Sequence, residues 1–421
     1  MTTTTEKPLK PIPAAPRVRT VRVALAGCGA VGGALVRLIQ ESEREVAERY
    51  SMRFELARVL VRDATRPRAV PLAPGLVTAD LGEFLSTPAE VVVEAIGGVD
   101  AAAAIARAAL RAGRRLVTAN KALLAAHGPE LLRLSRRHRA RLDFESAVGG
   151  GIPVIRALRD QLAATEVQRI RGVLNGTTNY ILTRMGEGFS YVEALADAQQ
   201  KGYAEANPSR DVNGQDAADK IRVLAWLAFG AQPQRLPVRT RGIAPHAERL
   251  TADAAALGRV VRLVAECASA DGSVSATVEP VLVSAGSELG AVQGADNAVI
   301  VESRWNGVVR LAGPGAGGAP TASAILGDLI GGGRALRLAE GRAAEGVEEA
   351  SAHRWLFSAP SAGGAETRLQ RTLERAGIVA ERLDGRGVVR LLTAPVPWAR
   401  ADLAARALGA AGVGAVVARV M

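Results

Sequence analysis

Cysteine is almost absent from this chain of 421 residues. Cys28 and Cys267 are the only two, too few for a disulfide framework. The four histidines (His127, His138, His246 and His353) are so scattered that no zinc-ligand spacing arises. No apolar run reaches the roughly 18 residues that a membrane span needs. The opening stretch, MTTTTEKPLKPIPAAPRVRT, lacks the hydrophobic centre of a secretory signal. These absences predict a cytoplasmic protein with no membrane partner. Aromatic residues make up 3% of the chain, so its cores have to be built from Ala, Val and Leu. The same shortage bears on the formal charge of +11, which would otherwise invite a nucleic-acid reading. The arginines are spread along the whole chain, and the rings that would stack on bases are missing. No nucleic-acid partner is expected; the basic balance suits a solvated surface that attracts an anionic cofactor.

What is present is an alternation of strand and helix signals. Residues 1–18, rich in Thr, Pro and Lys, read as a disordered tail. Strands are predicted at Val21–Ala26, Phe54–Val61, Val91–Ile96 and Arg115–Thr118, with helices at Val31–Arg49 and over 101–112. That order argues for a doubly wound parallel sheet over residues 19–148. A glycine-rich stretch, Phe144 to Pro153, marks the passage to a second α/β unit over 149–310. Its helices are expected around 152–164, 190–201 and 215–230, with strands such as Gln168–Leu174 and an alternating segment over 279–310. The cluster Gly313-Pro314-Gly315-Ala316-Gly317-Gly318 precedes a helix starting near Thr321, and 311–334 is expected to pack back on the first unit. After a linker at 335–350, residues 351–421 read as strand, helix, two strands, helix, strand. That βαββαβ order is ferredoxin-like.

Gly27-Cys28-Gly29-Ala30-Val31-Gly32 fits G-x-G-x-x-G between a predicted strand and a predicted helix. The first glycine permits the tight turn, the second lets backbone approach a pyrophosphate, and the third permits close packing. The helix start adds free N–H groups for the anion. Arg62 and Asp63 stand side by side after the second strand. An acid there favours NAD, whereas an arginine pairs with the 2′-phosphate of NADP; the two are also a possible surface ion pair. The reading adopted is NADP, with NAD as the alternative. Lys121 lies just past a strand end, where ligands sit in open parallel sheets, although a lone lysine there also suits solvent. Asp216 and Lys220 share one face of a helix at a spacing of four, the geometry of a surface salt bridge. Ile221, Val223, Leu224, Trp226 and Leu227 make that helix apolar on much of its circumference, and Glu205 and Asp211 stand upstream. Two acids and a lysine beside a buried helix suit the holding and protonation of an amino-acid substrate.

At this point the chain resembles a known family. The blocks VTANKALLAAHGPEL, FESAVGGGIPVIRAL, GVLNGTTNYILTRM, GYAEANPSRDVNGQDAADK and GPGAGGAPTASAILGDL look like homoserine dehydrogenase, in family order, between the glycine fingerprint and residue 330. Asn175-Gly176-Thr177-Thr178-Asn179-Tyr180 is the most specific of these, since no generic dinucleotide-binding enzyme needs it. The resemblance implies interconversion of aspartate semialdehyde and homoserine with NAD(P), on the route to threonine and methionine, by a homodimer or larger assembly. It implies Lys220 as the proton donor in reduction and Lys121 as a second active-site lysine beside nicotinamide and substrate. Glu205 matches a substrate-binding residue, supported by Asp211 and Asp216. Glu145, Val148, Gly150 and Ile152 match positions whose backbone carbonyls bind a sodium ion. Gly97, Gly98 and Gly315 match glycines that let backbone approach the cofactor.

Two departures stand out. Asn207-Pro208 replaces the family's usual Asp-Pro, and Asp219 stands where a histidine is frequent. The C-terminal segment resembles the regulatory ACT domain by element order, with a first loop, Ala359–Gly364, unlike the usual ligand-binding turn. All candidate site residues precede 330, so a core ending near 345 is expected to keep turnover if it stays folded.

Overall fold

A computed structural model describes residues 18–244, 246–331, 351–383 and 387–421. The expected tail, apart from Val18, and the whole of the expected linker at 335–350 lie outside the described residues.

The first unit runs β1 (Arg19–Ala26), α1 (Ala30–Glu41), α2 (Glu43–Tyr50), β2 (Met52–Leu60), β3 (Val77–Thr78), α3 (Leu81–Ser86), β4 (Val91–Glu94), α4 (Asp100–Arg111), β5 (Arg115–Thr118), α5 (Lys121–Arg137) and β6 (Leu142–Asp143). Its six strands are all parallel, in the order β3-β2-β1-β4-β5-β6. Strand order reverses between β1 and β4, so the crevice outside their C-terminal ends is the natural ligand site of a Rossmann-type sheet. Every residue of β4 is buried, as a strand covered on both faces requires. One expectation is corrected here. The helix predicted over Val31–Arg49 is two helices, because the chain leaves helical geometry at Ser42, whose hydroxyl turns back onto the Leu38 carbonyl.

The second unit continues with α6 (Val154–Arg156), β7 (Val167–Val173), α7 (Gly176–Gly186), α8 (Tyr191–Gln200), α9 (Ser209–Val212), α10 (Gln215–Phe229), β8 (Arg239–Thr240), α11 (Ala247–Ala256), β9 (Arg259–Ala270), β10 (Ser273–Ser284), β11 (Asp296–Ser303), β12 (Gly307–Pro314) and α12 (Gly318–Ile330). The helix expected at 152–164 is a single α turn passing into a π-helical turn at Ala157–Gln161. α12 returns to the first unit. A Cβ on Gly318 would lie 2.7 Å from the Ala30 carbonyl oxygen, so only glycine allows α12 this close to α1.

The C-terminal unit comprises β13 (Ala352–Pro360), α13 (Ala365–Arg375), β14 (Ala380–Leu383), β15 (Val388–Thr393), β16 (Val396–Pro397), α14 (Trp398–Ala410) and β17 (Val416–Val420). Its antiparallel order β17-β13-β15-β14 is that of a ferredoxin-like fold. This sheet does not stand apart. β17 pairs in parallel with β10, producing one sheet ordered β12-β11-β7-β9-β10-β17-β13-β15-β14. Buried charges cross the same seam. Arg419 of β17 is fully buried 3.1 Å from Glu266 and 3.3 Å from Glu279, and Arg390 of β15 lies 2.8 Å from Asp253 of α11. The condition that a shortened chain stays folded is therefore a demanding one. Removing the C-terminal unit takes Arg390 from Asp253 and Arg419 from Glu266 and Glu279, leaving the last two with the more distant Arg169 (3.7 Å) and Arg241 (3.8 Å), and a broken buried pair costs about 3–5 kcal/mol.

Candidate active site

The loop after β1 has the shape a pyrophosphate needs. Gly27 takes φ +98°, and a Cβ there would lie 2.5 Å from the Ala95 carbonyl oxygen. A Cβ on Gly32 would lie 2.0 Å from the Gly27 carbonyl oxygen, so α1 packs against the loop only through glycine. Gly29 is different: it is exposed, and nothing lies within 4 Å of where its Cβ would be. Two glycines shape the turn and the middle one leaves room for a ligand. Ala30 and Val31 open α1, whose N-cap, Gly29, offers no side chain to the first N–H groups, so these are free for an anion. Across the crevice, Gly97 and Gly98 follow β4, both exposed and both at positive φ. The residues present fit a dinucleotide.

Arg62, just beyond β2, is exposed, while Asp63 is drawn into its own loop by bonds from the Thr65 amide (2.9 Å) and hydroxyl (2.6 Å), which hold its carboxyl below the usual range. Sequence reasoning missed Arg68. It donates to the Asp63 carbonyl, and its positive charge acts on the Cys28 thiol within the glycine loop. No spacing rule singles it out, because the loop that folds it back is irregular.

Three element ends meet at the second cluster: the end of β7, the start of α5 and the first two turns of α10. Lys220 Nζ lies 2.7 Å from Asp216 Oδ2 and donates to the Leu174 carbonyl at 2.6 Å. Lys121 Nζ lies 2.9 Å from the other oxygen of the same carboxylate. Asn175 donates to Asp211 (2.6 Å) and Asp216 (2.9 Å), while its own oxygen caps α7 by accepting from the Thr178 amide. Burial pushes Asp216 upward, but Lys220 and Lys121 outweigh it and hold the carboxyl well below the usual carboxylate range. Burial lowers Lys121, yet Asp216 overrides it, and the net result is a raised value. Asp211 is raised by burial. The salt-bridge geometry read from the sequence is thus real, but both partners are buried and a second lysine shares the acid. Glu205 is not gathered into this cluster. Its carboxylate is exposed, in the loop whose backbone Gln199 holds.

Both departures find local partners. Asn207 accepts from the Ser209 amide at 3.2 Å, the turn bond an aspartate would make there. Asp219 lies 2.7 Å from Arg210 and 3.3 Å from Arg222.

Behind the crevice, buried Glu94 accepts from the Thr118 hydroxyl (2.5 Å) and the Ile96 amide (3.0 Å), and Asn120 donates to the Gly98 carbonyl at 2.6 Å. Asn120 also caps α5 through the Leu123 amide. This network fixes the Gly97–Gly98 loop relative to Lys121, and the sequence reading did not identify it. Helices α5 and α10 meet at Gly128, where a Cβ would lie 2.9 Å from the Trp226 ring.

The turn at Glu145–Ile152 is almost wholly buried. The Glu145 carboxylate accepts from the Ile155 (2.9 Å) and Arg156 (2.8 Å) amides, and burial together with Asp328 pushes it up to about 7. Gly150 has φ +55°, and a Cβ there would lie 2.7 Å from the Gly315 carbonyl carbon. Gly315 is itself buried, its own Cβ position 2.0 Å from Asn297 Cγ. The close approaches it makes in this structure are to Gly150 and Asn297. Among the described residues no three His, Cys, Asp or Glu side chains converge as a metal site.

Comparison with known proteins agrees with this geometry. Residues 153–330 match the family described as homoserine dehydrogenase, and residues 27–145 match the homoserine dehydrogenase NAD-binding domain. A homoserine dehydrogenase of Mycobacterium tuberculosis is 43% identical over 319 residues, covering 74% of this chain and 72% of the relative. One from Synechocystis is 40% identical over 320 residues, covering 74% and 73%. The crystal structure of a homoserine dehydrogenase from Thiobacillus denitrificans superposes with a TM-score of 0.86 at 29% identity, covering 97% of this chain and 99% of that one. A hyperthermophilic archaeal homoserine dehydrogenase in complex with NADPH gives a TM-score of 0.61 at 27% identity, covering 76% and 100%.

Proposed function

Given that the chain belongs to the homoserine dehydrogenase family, and so is an NAD(P)-dependent oxidoreductase, we propose that Lys220 is its proton donor and acceptor. The reaction interconverts L-aspartate 4-semialdehyde and L-homoserine. NAD(P)H, when bound, supplies hydride to the aldehyde carbon. Negative charge then gathers on the aldehyde oxygen, and the protein's task is to orient that oxygen and protonate it. One observation carries the assignment. An ammonium has three N–H donors, and Lys220 commits one to Asp216 and one to the Leu174 carbonyl. A single donor remains, with its direction fixed, for the substrate oxygen. Lys121, less buried and bound to the other oxygen of Asp216, is the second active-site lysine of this reading, beside nicotinamide and substrate. Asp211 and Asp216 offset the charge of the two lysines, and Glu205, exposed on its loop, is left to meet the substrate ammonium.

Finer readings rest on the same premise. Gly27, Gly29, Ala30, Val31, Gly32, Gly97 and Gly98 cradle the dinucleotide, and Arg62 takes the 2′-phosphate, so that NADP is used at least as well as NAD. An archaeal relative is known in complex with NADPH, which is in keeping with NADP use. A sodium ion at Glu145–Ile152 would be held by the carbonyls of Glu145, Val148, Gly150 and Ile152, neutral oxygens that suit a hard cation. The Glu145 carboxylate is already committed to two amides, which leaves the backbone as donor. The ferredoxin-like unit is read as ACT-like, and a homodimer or larger assembly as the working form, with Trp305 and Val308 exposed beside the edge strand β12.

The test is Lys220→Ala. General acid–base groups contribute on the order of 10²–10⁴-fold, so kcat is expected to fall by about that factor while NADP affinity holds. Lys220→Arg does not rescue, because a guanidinium is too weak an acid to give up its proton and serve as acceptor in the oxidative direction. A folded Lys220→Ala protein with near-normal kcat refutes the assignment.

A further inference from the structure

The Rossmann-type sheet has a second concave face, at the edge opposite the catalytic crevice. Because its strands are parallel, the starts of β1, β4, β5 and β6 come together there, and they line a shallow, open pocket of about 760 Å³. Six arginines line it (Arg19, Arg22, Arg114, Arg115, Arg139 and Arg141) against one carboxylate, Glu90. The lining holds no lysine and no aromatic residue.

Part of this charge has a structural explanation. Helix α12 ends here, and unsatisfied C-terminal carbonyls attract cations. Arg115 donates to the carbonyls of Asp328, Leu329 and Gly331 and pairs with Asp143 at 2.8 Å; Arg141 donates to Gly331 and Asp143. Arg19 pairs with Glu90. Once these are set aside, Arg22, Arg114 and Arg139 make no side-chain hydrogen bond or ion pair among the described residues. Arg139 also occupies the position after the C-cap of α5 at φ +53°, where glycine is the usual residue. An arginine held there despite the backbone cost puts its guanidinium on the rim of the pocket.

We propose that this pocket is a binding site for a polyphosphate chain, separate from the dinucleotide crevice. Three guanidiniums with no side-chain partner among the described residues give this wall positive potential, and each planar fork matches two phosphate oxygens. With no ring to stack on a base, recognition falls on the phosphates alone. Inorganic tripolyphosphate and ATP then bind with similar affinity.

The test is calorimetric titration of the full chain with inorganic tripolyphosphate, then ATP, in about 0.1 M salt, first without and then with saturating NADP⁺. One saturable site per chain is expected, with the two ligands within about threefold of each other. The variant Arg22→Ala/Arg114→Ala/Arg139→Gly is expected to bind at least about tenfold more weakly while homoserine oxidation stays unchanged. Arg139→Gly alone is expected to raise Tm as it weakens binding, a pairing that a purely structural arginine would not show. The proposal is overturned by absence of saturable binding, by loss of binding when NADP⁺ is added, by ATP far exceeding tripolyphosphate, or by unchanged affinity in the triple variant.

Discussion

Replacing Asp216 by asparagine tests the geometry of the lysine pair most directly. Asp216 accepts from Lys220 at 2.7 Å on one oxygen and Lys121 at 2.9 Å on the other. Asparagine keeps the shape and removes the charge, and its single oxygen serves only one lysine. Two ammonium groups on one carboxylate stand on the order of 5–6 Å apart, and at an effective dielectric near 20 their repulsion is about 3 kcal/mol. With the carboxylate gone, that repulsion is no longer offset, and one lysine turns aside or loses its proton. A barrier raised by about 3 kcal/mol slows turnover on the order of a hundredfold. The sign of the pH effect follows from the raised value of Lys121, which Asp216 supports against burial. A lysine raised by its partner stays charged to higher pH, and that charge is lost as pH rises through its folded value. In the variant this loss comes at lower pH, so the alkaline limb of aldehyde reduction moves toward neutrality. The assay is kcat for reduction across pH at saturating substrate, with circular dichroism to confirm folding. A folded Asp216→Asn protein within threefold of the parent, its alkaline limb unmoved, would show that the two lysines do not depend on this carboxylate.

Three further outcomes are expected. Gly29→Ala should fold normally and lose dinucleotide affinity, since open space surrounds its Cβ position, whereas Gly32→Ala should also lower Tm because its Cβ would meet the Gly27 carbonyl at 2.0 Å; equal Tm values for the two would contradict this reading. Arg62→Ala should raise the KM for NADP and leave that for NAD nearly unchanged, measured by initial rates with each cofactor; a matching rise for both removes Arg62 from the 2′-phosphate. A chain ending near 345 should unfold at lower denaturant than the full chain or fail to fold, since Glu266 and Asp253 lose Arg419 and Arg390, at about 3–5 kcal/mol for each broken buried pair; unaltered stability would mean the seam between β10 and β17 contributes little.

Local pattern was enough for much of this molecule. The apolar run Val91-Val92-Val93 and the glycines after Ala26 specify a parallel strand and a phosphate turn through short-range rules of burial and backbone conformation, and these hold wherever the segment sits. Asp216 and Lys220, four apart on an apolar helix, could be placed on one face for the same reason. Other features depended on residues distant in sequence. Whether Lys220 is a surface charge or a buried donor was decided by the Leu174 carbonyl, 46 positions away, and by Lys121 reaching the same carboxylate from another helix. The close approach of Gly315 to Gly150 and Asn297 was set by chain segments far apart in sequence, and the return of Arg68 toward Cys28 by an irregular loop that no period describes. The C-terminal unit shows the division most clearly. Its βαββαβ order is written in alternation and turn residues, but its attachment is a parallel pairing of Val281 with Arg419 between strands far apart in the chain. Propensity and periodicity act over a few residues; strand partners and buried ion pairs are chosen by the whole folded core, and only tertiary structure decided those.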